Sequence, residues 1–294
     1  MRLAAIDIGS NAARLLITEV SKDKNHMVSF TKLSLVRVPL RLGFDVFDSG
    51  KISAHKIHLL VLTMKGFLNI TQAFEVKRMK ACATSAMRDA SNSGEIITLV
   101  KEETGIEIEV ISGGDEASLV FENHIAENLD KDHSYLYIDV GGGSTELTFF
   151  SNNQMIFKDS FNIGTIRLLK DQVSEATWDE MKNTIRKKTK GFKTITAIGS
   201  GGNINKIFSI SKRKDGKPLS FDLLRDYYKE LSNVSLEDRI SIYKMKEDRA
   251  DVIVPALKIY ISCMRWAGAG EIYVPKIGLV DGLVQHLWEE ENKQ

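Results

Sequence analysis

The stretch YIDVGGGSTELTFF, residues 137–150, sets one aspartate and three consecutive glycines between two apolar runs. A Walker loop needs Lys-Ser or Lys-Thr after its last glycine, and a dinucleotide fingerprint needs a third glycine where Glu146 stands, followed by a helix. Neither requirement is met. Thr145, Leu147, Thr148, Phe149 and Phe150 are instead β-branched, aromatic or apolar, which predicts a second strand. The unit is strand, glycine loop, strand.

The same unit opens the chain. AAIDIGSNAARLLITEV, residues 4–20, places Asp7, Gly9, Ser10 and Asn11 as the later stretch places Asp139, Gly141, Gly142 and Gly143, 132 residues further on. Two such half-units predict two similar domains facing one another, each offering backbone N–H groups and an aspartate at a strand end, a pair able to grip phosphate and metal. Taken singly, either stretch also reads as an ordinary Asp-Gly hairpin.

A chain of 294 residues with 43% hydrophobic residues is long enough for about two domains, as the repeat requires. Its net charge of +1 supplies no global field for nucleic acid or a membrane surface, so an anionic ligand must be held locally. No apolar run reaches the ~18 residues of a membrane span, and the N-terminus enters a strand pattern at Leu3 without a leader pattern. These features predict a soluble, cytoplasmic protein. Cys82 and Cys263 lie far apart in apolar segments, which predicts inert thiols in a reducing compartment. The close pair His55 and His58 has no third ligand nearby, which argues against zinc.

Along the chain, strand-like residues run to about Val38, and a turn-rich patch follows at Gly43 to Gly50. Ile57, Leu60, Val61, Met64, Phe67 and Leu68 then form a helical stripe. A strand is predicted near Val76–Ala83, a helix near Glu95–Glu103, a strand at Ile106–Ile111 and a helix opening at Ser112, which is an α/β alternation. The second half repeats the scheme from Tyr135 and turns helical near Glu175–Lys190, Phe221–Leu231, Ala250–Trp266 and Leu279–Glu290. The polar segment at residues 125–133 marks a boundary, giving domains at 1–128 and 129–278, with residues 279–294 as a helix crossing back to the first.

Four further stretches carry candidate chemistry. In ATSAMRDASN, residues 83–92, Arg88 follows a strand end within one turn and is suited to bidentate contact with a phosphoryl oxygen, or else is a surface residue beside Asp89. In ISGGDEASLVF, residues 111–121, Ser112 and Asp115 have capping-box spacing. Glu116 is then left either to answer the helix dipole or to act as a general base. AIGSGGNINKI, residues 197–207, puts Gly199, Gly201 and Gly202 before a helix whose N-terminus suits an anion. The basic runs at residues 186–193 and 211–217 are solvated ends or a track for a polyanion.

Taken in order, IDIGSN, ATSAMRD, SGGDEA, IDVGGGSTE and GSGGN closely resemble the exopolyphosphatase and guanosine pentaphosphate phosphatase (Ppx/GppA) family. NIGTIRLLK (162–170) and the tail from VIVPALKIY to GLVDGL (252–283) extend the likeness over nearly the whole chain. The resemblance implies the two-domain actin-like ATPase fold of sugar kinases, Hsp70 and actin, with a ligand cleft between the domains. It implies a Mg2+-dependent hydrolase releasing terminal phosphate from inorganic polyphosphate or guanosine pentaphosphate, with no nucleic acid or membrane partner; a homodimer is compatible with it.

By the same resemblance Glu116 matches the catalytic base, Glu146 the second essential carboxylate and Arg88 a phosphate clamp. Asp139, Asp7 and Glu146 are the metal candidates. Gly9, Ser10, Asn11, Arg14, Gly141, Gly142, Gly143, Ser144, Thr145, Gly201 and Gly202 are the phosphate-side candidates. The chain departs from the family pattern at Asp115, at Ser118, where arginine is usual, and at Asn203, where threonine is usual. A sugar or acetate kinase and a non-catalytic nucleotide switch are the alternatives.

Overall fold

The computed structural model describes residues 1–24, 26–121, 133–152 and 154–292. The elements run β1 (Arg2–Ile8), β2 (Ala13–Lys22), β3 (Val28–Val38), α1 (Leu42–Ser49), α2 (Ala54–Ala73), β4 (Arg78–Ala83), α3 (Ser85–Asp89), α4 (Ser93–Thr104), β5 (Ile108–Val110) and α5 (Gly113–Phe121). They continue with β6 (Ser134–Val140), β7 (Thr145–Ser151), β8 (Gln154–Phe161), α6 (Thr165–Leu169), α7 (Glu175–Thr189), β9 (Ile195–Ser200) and α8 (Gly202–Ile210). Last come β10 (Leu219–Ser220), α9 (Phe221–Ser232), α10 (Leu236–Ser241), α11 (Glu247–Ala250), α12 (Ile253–Ala267), β11 (Glu271–Tyr273) and α13 (Leu279–Asn292). Two compact units result, one of Met1–Asn123 with Leu279–Gln294, the other of His124–Gly278. The boundary expected near residues 125–133 lies, but for its last residue, outside the described residues.

The sheet of the first unit has the order β3-β2-β1-β4-β5, an antiparallel meander followed by two parallel strands. That of the second unit has the order β8-β7-β6-β9-β11-β10, the same meander and parallel pair with one short antiparallel edge added. The repeat seen in two short stretches therefore extends through five strands of each sheet. This twice-built mixed sheet is the actin-like α/β architecture.

In the first unit, Leu3, Ala5, Leu16 and Cys82 pack with Leu279, Val280, Leu283, Val284 and Leu287 of α13. Gly282 sits at the crossing of α13 with α5, where a Cβ would stand 1.9 Å from the Leu119 carbonyl oxygen. Only a glycine lets α13 lie this close to the helix that carries Glu116. In the second unit, α12 lies at the centre of a core that includes Leu136, Ile138, Phe149, Ile204 and Tyr260.

The patch at Gly43–Gly50, expected to be turn, is helix α1. Gly43 read as a breaker, but its N–H donates to the Ser10 carbonyl at 2.8 Å, and the helix ends at Gly50 with φ of 75°. Long-range hydrogen bonding overrode local propensity. In α2 the inner stripe is Leu60, Val61, Met64 and Phe67, with Thr71 added, while Ile57 and Leu68 are half-buried. Among the described residues no helix is long and apolar enough to cross a membrane.

Candidate active site

In the second unit, Asp139 near the end of β6 stands directly opposite Glu146 on β7. The loop between them closes with Gly141 N–H donating to the Ser144 carbonyl at 2.9 Å. A Cβ on Gly141 would lie 3.1 Å from that carbonyl oxygen. None of Gly141, Gly142 and Gly143 has positive φ, so the triplet serves close approach rather than left-handed backbone.

The approaching group is the start of α6. Thr165 and Ile166 N–H donate to the carbonyls of Gly141 and Gly142 at 3.0 and 2.8 Å, and Arg167 Nε donates to the Gly143 carbonyl at 2.8 Å. A Cβ on Gly164 would come within 2.3 Å of the Gly142 oxygen. Since N–H and C=O point oppositely across a trans peptide, the N–H groups of Gly142, Gly143 and Ser144 turn away from α6. Three consecutive N–H groups on one side of a loop form a nest for an anion. Thr145, a phosphate-side candidate, is fully buried and spends its hydroxyl on the Ile163 carbonyl at 2.5 Å, so it braces the loop.

Glu146 is buried, and its Oε1 accepts from Ser144 Oγ at 2.6 Å and Ser160 Oγ at 2.9 Å. Beside Asp139, Gly201 has φ of 100°, and a Cβ there would stand 3.1 Å from Asp139 Oδ1. The buried Tyr260 hydroxyl donates to the Ser200 carbonyl. Burial first, and the charge of Asp139 second, hold that phenol well above its ordinary range. The glycine loop before α8 is thus brought to Asp139. Arg249 of α11 occupies the space over Gly202, 2.5 Å from where a Cβ would be, and its Nη1 donates to Asn203 Oδ1 at 2.8 Å. Asn203 thereby holds this arginine over the loop. Nothing local in the sequence pointed to Arg249, which reaches the loop only through the fold.

In the first unit, Asp7 on β1 stands opposite Arg14 on β2, and Arg14 Nη1 donates to the buried Asp7 Oδ2 at 3.2 Å. Gly9 N–H donates to the Ala12 carbonyl at 3.1 Å, the counterpart of the Gly141–Ser144 bond. At the start of α1, Gly43 and Arg41 N–H donate to the carbonyls of Ser10 and Asn11 at 2.8 and 2.9 Å. The N–H groups of Asn11 and Ala12 accordingly face away from α1. Ser10 Oγ shares a 2.8 Å hydrogen bond with Ser85 Oγ, which ties the loop to α3.

Arg88 on α3 donates to the Ile111 carbonyl at 2.8 Å, one residue before the cap of α5. Ser112 Oγ accepts from Asp115 N–H at 3.1 Å and donates to Asp115 Oδ2 at 2.6 Å. The Asp115 carboxylate thus binds the capping hydroxyl, where a regular capping box would bind the Ser112 backbone. Glu116 is half-buried in the next position, with its Oε2 buried. Burial, then the charge of Glu109, push the Cys82 thiol up to about 12, and Asp7 and Glu116 add to the rise. Because β1, β4 and β5 run parallel, Asp7 near the end of β1 and Glu116 in the helix that follows β5 lie at the same end of the first sheet.

Asp7 belongs to the first unit, Asp139 and Glu146 to the second. Among the described residues no group of three or more His, Cys, Asp or Glu forms a metal cluster. The Asp139–Glu146 pair nonetheless fits Mg2+, which takes one or two carboxylates and completes its shell with water and phosphate oxygens. Lys187, Lys188, Lys190, Lys212, Arg213 and Lys214 are exposed on the second unit. The first two also complement the C-terminal end of α7.

The sequence model described as the Ppx/GppA phosphatase family matches residues 19–291. The chain is 30% identical over 258 residues to a bifunctional 3-dehydroquinate synthase/phosphatase of Fusobacterium nucleatum, a match covering 82% of this chain and 38% of that protein. It is 25% identical to exopolyphosphatase 1 of Mycobacterium bovis over 99% of this chain and 89% of that one. The crystal structure of an exopolyphosphatase from Cytophaga hutchinsonii superposes with a TM-score of 0.85 at 26% identity, covering 99% of this chain and 98% of that chain.

Proposed function

Because the chain belongs to the Ppx/GppA phosphatase family, we propose that it is a Mg2+-dependent hydrolase of terminal phosphoanhydrides. Its substrates are inorganic polyphosphate, guanosine pentaphosphate or both, which end in the same bond. The observation that supports this reading is one loop built twice, beside a guanidinium at Arg14 and beside paired carboxylates at Asp139 and Glu146.

Glu116 orients a water and takes its proton as the water oxygen attacks the terminal phosphorus. The bond from phosphorus to the bridging oxygen breaks, and the shortened chain leaves with the electron pair. Arg14, Arg88 and the loop N–H groups offer positive charge to phosphoryl oxygens, the positioning and electrostatics on which phosphoryl transfer depends. Asp7, already bridged to Arg14, keeps that guanidinium aimed. Asp139 and Glu146 would hold Mg2+, which when bound would neutralise charge on the phosphate oxygens.

The test measures inorganic phosphate released from polyphosphate, guanosine pentaphosphate and ATP, each with Mg2+ and with EDTA. Release from the first two, abolished by EDTA and restored by Mg2+, is the expected result. Transfer of phosphate to a hydroxyl acceptor without release would make the protein a kinase, and full activity in chelator would remove the metal.

A further inference from the structure

We propose that Ser160 is a positioning residue that locks the Glu146 carboxylate for a divalent cation; the inference rests on the metal reading above. Ser160 lies on β8, directly across the strand pair from Glu146, which in turn lies directly across from Asp139. The three residues form one row over three strands, on one face of the sheet. Ser160 Oγ donates to Glu146 Oε1 at 2.9 Å, and Ser144 Oγ donates to the same oxygen at 2.6 Å.

Two hydroxyl donors on one carboxylate oxygen fix its rotamer. They come from different places, Ser144 from the loop and Ser160 from the neighbouring strand. Ser144 lies in the glycine loop, whereas Ser160 lies within β8 and is paired with Glu146 in the sheet. The strand donor therefore holds Glu146 from a position set by sheet register. A second carboxylate directly opposite makes that restraint necessary, because like charges on adjacent strands repel and a loosely held glutamate would swing away from Asp139. Partners that orient a ligating carboxylate change metal affinity on the order of 10 to 100-fold when removed.

The experiment titrates Mg2+ and Mn2+ into the purified wild-type protein, Ser160→Ala and Ser160→Thr by calorimetry, with thermal melts alongside. Ser160→Ala is expected to weaken cation binding by about 10 to 100-fold with its melting temperature little changed, and Ser160→Thr, which keeps the hydroxyl, to stay within about threefold of wild type. Wild-type binding with equal affinity in Ser160→Ala would overturn the role of Ser160 and leave the metal reading standing. Equal losses in the alanine and threonine variants would show that the hydroxyl is not the cause and overturn it too. Absence of cation binding in the wild type would remove the metal reading and this inference together.

Discussion

In the first unit the aspartate one residue before the end of β1 looks across the strand pair at Arg14, and Arg14 in turn is paired with Arg37 on β3. In the second unit the aspartate at the same place looks across at Glu146, which is paired with Ser160. The backbones are alike: each loop closes with the same N–H to carbonyl bond, and each turns its carbonyls onto the start of a helix. What differs is the charge of the row beneath the loop. Two guanidinia stand beside one carboxylate in the first unit, and two carboxylates beside a serine in the second. A duplicated scaffold has thus been given opposite electrostatics, one half suited to phosphoryl oxygens and the other to a cation. The fold supplies the N–H groups in both, and cross-strand neighbours decide what each half attracts.

The largest expected effect tests Glu116 as the proposed base. Glu116→Gln keeps the size of the side chain but cannot take a proton, so kcat should fall by about 10² to 10⁴-fold with the melting temperature nearly unchanged. If Glu116 only answered the helix dipole, its replacement would cost roughly 0.3–1 kcal/mol of stability and no rate. Asp115→Asn should do the reverse, loosening the cap by about 1 kcal/mol with little effect on turnover. Near wild-type turnover in Glu116→Gln with a dead Asp115→Asn would move the base by one residue.

The two hairpins should respond in different quantities, the first in stability and the second in metal requirement. Arg14→Ala strips the buried Asp7 of a charged donor and should cost roughly 1–3 kcal/mol, read as a lower denaturant midpoint. Asp139→Ala removes one of two facing carboxylates and should leave the protein folded while raising the Mg2+ concentration needed for turnover. Equal destabilisation by both variants would break the comparison.

Gly282→Ala should cost roughly 1–3 kcal/mol through overpacking, since its Cβ would meet the Leu119 carbonyl and displace the helix that bears Glu116. A fall in kcat exceeding the loss of folded protein would show that α13 sets the position of Glu116. Calorimetry with activity assays on the same sample separates the two. The smallest effect concerns the exposed basic residues. Neutralising Lys187, Lys188, Lys190, Lys212, Arg213 and Lys214 should raise KM for long polyphosphate more than for tripolyphosphate, and added salt should mimic it. Equal changes for both lengths would mark them as solvated surface.

The sequence was most informative where chemistry is local. An aspartate, a glycine-rich loop and two apolar runs at a constant offset were enough to identify the two hairpins. A period-3.6 stripe located α2, helices were expected near where α7 and α12 lie, and Ser112 with Asp115 announced the start of α5. Gly43 misled because a glycine breaks helices by propensity, whereas here its N–H is committed to Ser10 and α1 forms around that bond. NIGTIRLLK matched a family segment without revealing its task, because the contact of Gly164 with Gly142 joins backbones distant in sequence.

The residue types at each loop were therefore written in the chain itself: which carboxylates, which arginines and how much bare backbone. Tertiary structure alone decided their neighbours. It set Ser160 on Glu146, Arg249 over Gly202 and Gly282 against Leu119, and it paired Asp7 with Arg14 but Asp139 with Glu146. The physical reason is that local propensity and periodicity act over a few residues, whereas register and close packing are settled when strands and helices from remote parts of the chain meet.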